Sequence, residues 1–155
     1  MPVIDDFKSI AEDLPVFYVN NKAVDDAVSR TSIGRYYYYI FLKYREAIHE
    51  KLSDNVIEKN ELYNDQYNIH SLVKKTIKNY LGHKVSIKLN QLRDLRNACD
   101  YEMSGIINNL HVKVAIIKVQ YLESKLFSIC AGDDLDDAFI SALNDIKNYR
   151  QRQQS

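Results

Sequence analysis

One short stretch gathers the residue types that could handle a phosphate. Arg93, Arg96, Asn97, Asp100 and Tyr101 follow one another closely, and at helical spacing Arg96 and Asp100 share a face with Asn97 beside them. A guanidinium can clamp a phosphate, an amide and a phenol can orient it, and a carboxylate can accept a proton or neutralise the arginine. Leu92, Leu95, Cys99 and Met103 recur on another face and predict an apolar seam that anchors the helix. Two readings of the cluster stay open. Arg96 and Asp100 form an ion pair that fixes neighbouring helices, or Arg96 faces an accessible phosphate cleft.

The elements that must position this cluster read as helices. The chain has 155 residues, enough for a single domain with one substantial core. Four Gly and two Pro are few, which favours long helices over a turn-rich β architecture. Residues 3–14 predict an amphipathic helix with Phe7, Ile10 and Leu14 on one face, ended by Pro15. Val16–Val19 is a brief apolar connector, so residues 1–20 form an N-terminal helix and linker. From Asn21 to Leu52 the pattern is helical, with Ala27, Gly34, Tyr38, Phe41, Ile48 and Leu52 near one stripe. Gly34 costs roughly 1 kcal/mol against Ala there, and close approach of another helix, or a kink, is the expected reason for it. Tyr36 to Tyr39 cover every face of a turn, so at least one should reach solvent or a partner.

Residues 53–68 are polar and read as a loop with a short helix around Val56–Leu62. Asn68 suits the N-cap of a helix over 69–81, with Ile69, Val73, Ile77 and Tyr80 as its stripe and Gly82 at its end. The Arg96 helix is expected over 86–103. Residues 108–130 carry two apolar stripes, Leu110-Val114-Ile117-Tyr121 and Ala115-Val119-Leu122-Leu126-Ile129. So wide a face suits a central helix or one shared between core and dimer partner. Asp133, Asp134, Asp136 and Asp137 mark the start of the last helix, and the tail 151–155 is expected to fray. The expected fold is all-α, an up-and-down helical bundle of five to six helices.

Lys+Arg and Asp+Glu are both 21, which argues against a strongly basic nucleic-acid binder but leaves a local patch open. Cys99 and Cys130 are the only cysteines and form no CxxC pair, so neither a disulfide framework nor a zinc site is expected. Asp25-Asp26 and Asp133-Asp134 read as helix starts rather than metal ligands. No Gly-rich phosphate loop or nucleophile elbow is present, so no cofactor is expected. His49 and His111 read as exposed helix positions. With no signal peptide or membrane-length apolar run, the sequence reads as cytoplasmic, with no membrane partner.

Three features together resemble the HEPN superfamily, small helical bundles of prokaryotic toxin–antitoxin and antiviral systems. Arg35-Tyr36-Tyr37-Tyr38-Tyr39-Ile40-Phe41 is similar to the family's Arg-x-Tyr-Tyr-x-x-Phe signature. His70 opens a helix after a polar loop, and Leu95-Arg96-Asn97-Ala98-Cys99-Asp100-Tyr101 resembles a Leu-Arg-x-x-Ala-Asp-Tyr variant of its late motif. The resemblance covers about residues 20–150 and implies a homodimer that binds RNA or a nucleotide, or cleaves RNA without metal. By that resemblance Arg96, Asn97, Asp100 and Tyr101 would act in catalysis, and Arg35, Tyr38, His70 and Arg93 would hold substrate. A cognate nucleotidyltransferase antitoxin is the implied partner.

The chain departs from the pattern in one respect. Where active members place a His, this sequence has Asp100, Tyr101 and Glu102. An unperturbed carboxylate is a weak proton acceptor at neutral pH. The competing expectation is therefore a non-catalytic module that binds a protein or a nucleotide.

Overall fold

The low Gly and Pro content is matched by a chain that is helical throughout its ordered elements. A computed structural model describes residues 4–17, 22–64, 68–101, 105–132 and 134–154. Among them are six α-helices, α1 (Ile4–Phe17), α2 (Lys22–Lys51), α3 (Ile69–Leu81), α4 (His83–Tyr101), α5 (Asn109–Ala131) and α6 (Asp136–Gln154). A 3-10 helix over Ile57–Tyr63 lies between α2 and α3, and no strand occurs among the described residues. None of these helices is long and apolar enough to cross a membrane.

The residues cluster into two compact units, 1–43 with 88–124 and 44–87 with 125–155, so the division falls inside α2, α4 and α5. In the first unit Ile33, Tyr37 and Ile40 of α2 are buried, as are Leu92 and Cys99 of α4 and Ala115, Val119 and Leu122 of α5. These are the apolar periodicities that drive such helices to pack.

In the second unit α3 packs along α6 and against the 3-10 helix. Leu72, Val73 and Ile77 face a row of Phe139, Ala142, Leu143 and Ile146 in its core. Asn68 caps α3 by accepting the Ser71 N–H at 3.2 Å. Asp136, opening α6, accepts both the N–H and the hydroxyl of Ser53, which hold its carboxyl below the usual carboxylate range.

Several boundaries differ from the sequence reading, each for a local reason. The α1 backbone continues through Pro15 to Phe17, because near a helix end proline forfeits a single N–H bond. Val16 and Phe17 thus belong to the helix, while Tyr18 and Val19 lie outside the described residues. The α4 helix starts at His83 rather than Ser86, since Gly82 alone, at φ +96°, makes the turn from α3. Its expected end at Met103 lies outside the described residues, as does Asp133. The α6 helix extends to Gln154, as suits Arg150, Gln151, Arg152 and Gln153, which are all good helix formers.

The two glycine-bearing turns of the second unit set up a test. A Cβ on Gly132 would collide with the Tyr80 hydroxyl and lie 2.7 Å from the Ser128 carbonyl oxygen, whereas the space over Gly82 is open. Gly132→Ala should lower unfolding free energy by about 1–3 kcal/mol through overpacking. Gly82→Ala should cost about 1–2 kcal/mol through its positive φ alone. Chemical denaturation checks both, and an unchanged midpoint for Gly132→Ala would contradict the packing.

Candidate functional site

The buried stripe of α2 is rotated from the one its apolar residues suggest. Ile33, Tyr36, Tyr37, Ile40 and Phe41 are buried, but Ala27 is exposed and Gly34 and Tyr38 are half-buried. Ala27, Thr31, Gly34, Arg35 and Tyr38, spaced at helical intervals, instead form one wall of a groove of about 510 Å³. Arg30 of α2 and Cys99 and Asp100 of α4 complete its lining. Gly34 is not pressed against a neighbouring helix: among the described residues no atom of another segment lies within 4 Å of where its Cβ would be. Its missing side chain leaves the groove floor open. Of the four consecutive tyrosines, Tyr38 alone is not buried.

Arg96 projects from α4 beside this groove and is used up by its neighbours. Its Nη2 donates to the Tyr38 hydroxyl at 2.8 Å and its Nη1 to Asn97 Oδ1 at 3.0 Å. Its Nε sits 2.7 Å from Asp100 Oδ2, although that buried N–H is not aimed well enough to form a hydrogen bond. The guanidinium also lies 5.2 Å from the Tyr38 ring centroid and 5.9 Å from that of Tyr101. With its side chain 18% exposed, Arg96 fits the ion-pair reading, and the acid one turn later neutralises it. Tyr101 itself is 74% exposed.

Arg35 differs in kind. Among the described residues its guanidinium meets only the Phe7 ring, 5.3 Å from the centroid. Phe7 in turn sits 6.3 Å from the Tyr38 ring. A cation held on an aromatic face keeps its charge available for an anion, because the ring supplies no counter-charge. Arg93 is half-buried on α4, and its charge acts on the Tyr37 phenol. The α4 and α2 helices thus bring Arg96, Asn97, Asp100, Tyr101, Tyr38 and Arg35 to one region of the first unit. His70 belongs to the second unit, in the first turn of α3.

Two residues that the sequence reading treated as a helix start, or passed over, hold the site in place. Arg30 ion-pairs with Asp26 at 2.7 Å and donates to the carbonyls of Cys99 at 2.9 Å and Ala98 at 3.4 Å, and to that of Gly105. Asp26 also accepts the Ile107 N–H at 2.7 Å. The pair satisfies the carbonyls that the end of α4 leaves orphaned, with a cation where the helix dipole favours one. The signal was present: Asp26 and Arg30 are four apart. Cys99, below this clamp, is buried, which pushes its thiol up to about 11 and leaves it unreactive. His49 is half-buried with its ring edge-on to Tyr63, and His111 lies 2.9 Å from Asn108 Oδ1. Both therefore have local structural contacts rather than free surface positions.

The Asp26 clamp has a pH signature. Arg30 first and the Ile107 N–H second hold its carboxyl below the usual carboxylate value. A lowered folded pKa stabilises the protein fully above the unfolded value near 3.9, and that stability is lost as pH falls through the lower folded pKa. Asp26→Asn should flatten the acid limb of a stability–pH curve below about pH 4 while leaving the neutral-to-alkaline shape unchanged. Parallel curves for wild type and variant would contradict the clamp. Arg96→Ala should cost about 1–3 kcal/mol by leaving the Tyr38 hydroxyl and Asn97 amide without their donor. Asp100→Asn should cost under about 1 kcal/mol because its carboxylate is partly exposed.

No family model matches the chain, and no solved structure matches it. Over 156 residues it is 31% identical to Uncharacterized protein MJ0992 of Methanocaldococcus jannaschii, a match covering 94% of this chain and 86% of that protein. With that identity over nearly its whole length, the chain belongs to the family of MJ0992.

Proposed function

We propose that this chain is a non-catalytic, HEPN-like helical module that binds a nucleotide phosphate in the groove beside Arg35. The observation that carries the reading is the contrast between two arginines. Arg96 is engaged by Tyr38, Asn97 and Asp100, so its charge is already compensated. Arg35, in the same groove lining as Tyr38, has an aromatic support and makes no ion pair among the described residues, since the Asp100 carboxylate of that lining is held by Arg96. A guanidinium in a partly desolvated groove attracts phosphate more strongly than one in open water. A volume of about 510 Å³ suits a mononucleotide-sized ligand.

The residue in the place of the family's His supports the non-catalytic half of the proposal. Deprotonating a ribose 2′-OH needs a base near neutral pKa with room to reach it. Asp100 is held against Arg96 instead. The motif resemblance supplies the setting, prokaryotic defence or toxin–antitoxin function, together with a nucleotidyltransferase partner.

Calorimetric titration with AMP, ADP and a short single-stranded RNA, in the presence of a metal chelator, tests the reading. Binding of at least one should weaken at least tenfold in Arg35→Ala with no change in melting temperature, and the RNA should remain intact. RNA cleavage that disappears in Arg96→Ala would overturn the proposal in favour of a nuclease.

A further inference from the structure

The α5 helix is apolar on two faces, and the structure buries only one. Val112, Ala115, Val119 and Leu122 lie in the first unit's core, while Leu110 is 68%, Val114 44% and Ile117 66% exposed. Ile106, just before the helix, is 80% exposed. The spacing 110, 114, 117 alternates four and three residues, the period of a seam that receives another helix's side chains. Together the four side chains leave bare apolar surface on the order of 400 Å², about the size of patch that marks a functional surface on a monomer.

The charges on α5 beside this seam are of one sign. Lys113 is exposed, and Lys118 donates to Gln91 of α4 at 2.9 Å. No acid lies on α5 between Asn109 and Lys118. Burial first, and the charge of Lys88 on α4 second, lower the Lys118 pKa.

We propose that this face of α5 docks an amphipathic helix of a partner protein whose apolar stripe is flanked by Glu or Asp. Charge complementarity favours that occupant. A second copy of this chain would bring lysine-edged seams together with no acid from either α5. An acidic helix longer than two turns fills the seam and reaches the lysines, so the polar rim adds area and steering. A lipid surface fits less well, because the seam is narrow and the opposite face of α5 is committed to the core. The docking face uses none of the groove residues and stands independently of the nucleotide reading.

The probe is a fluorescein-labelled model helix with Leu at seam positions and Glu at the flanking ones, compared with its Lys-flanked counterpart by anisotropy. The Glu-flanked helix should bind at least tenfold more tightly than the Lys-flanked one. Ile117→Glu should abolish that binding with no loss of melting temperature, and Lys113→Glu with Lys118→Glu should reverse the preference. Equal or absent binding of the two helices would overturn the proposal. So would a dimer, seen by light scattering, that Ile117→Glu dissociates. Binding to phosphatidylcholine–phosphatidylglycerol vesicles that Ile117→Glu removes, without selective helix binding, would assign the face to a membrane surface and overturn it equally.

Discussion

The first unit depends on where the charge of one guanidinium goes. An arginine with little solvent needs its charge and most of its donors answered, or desolvation outweighs whatever it gains. Arg96 meets that demand from two helices at once. Asn97 and Asp100 come from its own helix, and Tyr38 comes from α2. Since the Tyr38 phenol, 58 positions away in sequence, accepts the one long-range hydrogen bond that Arg96 donates among the described residues, the rotation of α2 about its axis is tied to α4. That rotation turns Ala27, Gly34 and Arg35 toward the groove and Ile33, Tyr37 and Ile40 into the core.

A second ionic contact serves the same end from the other side. Arg30 gathers carbonyls from the last turn of α4 and from Gly105, while Asp26 holds Ile107. Both residues sit on the helix that carries Arg35. The clamp therefore fixes the end of α4, where Asp100 and Tyr101 lie, against the same surface that Tyr38 fixes through Arg96. Tyr39 extends the pattern, donating to Glu123 of α5 at 2.7 Å, with Lys8 of α1 on the same carboxylate at 2.8 Å. Phenols are suited to this work, since the ring fills the core while the hydroxyl finds a partner at its edge.

Much of the helix framework was legible in the residues because period and caps are local. The Asn68 cap and the short helix near Leu62 follow from neighbours within a turn or two. The i,i+4 pairing of Arg96 with Asp100 was legible for the same reason. The facing of α2 was not. Its aromatic run is apolar all round, so periodicity offers no unique buried face, and a phenol paired to an arginine on another helix decides it. Gly34 misled for a related reason: a helical glycine signals either contact or open space, and only the groove distinguishes them. The two stripes on α5 were legible, but not which of them is core: Ala115, Val119 and Leu122 are buried while Leu110, Val114 and Ile117 are exposed.

Arg35 and Arg96 come from different helices and differ in what surrounds them. An aromatic ring leaves a cation's field intact, whereas a carboxylate, an amide and a phenol together consume its donors. The most direct measurement is the side-chain Nε–Hε NMR spectrum of the arginines during titration with inorganic pyrophosphate. The account predicts that the Arg35 resonance moves with added anion while that of Arg96 stays in place. Movement of Arg96 with Arg35 unchanged would contradict it.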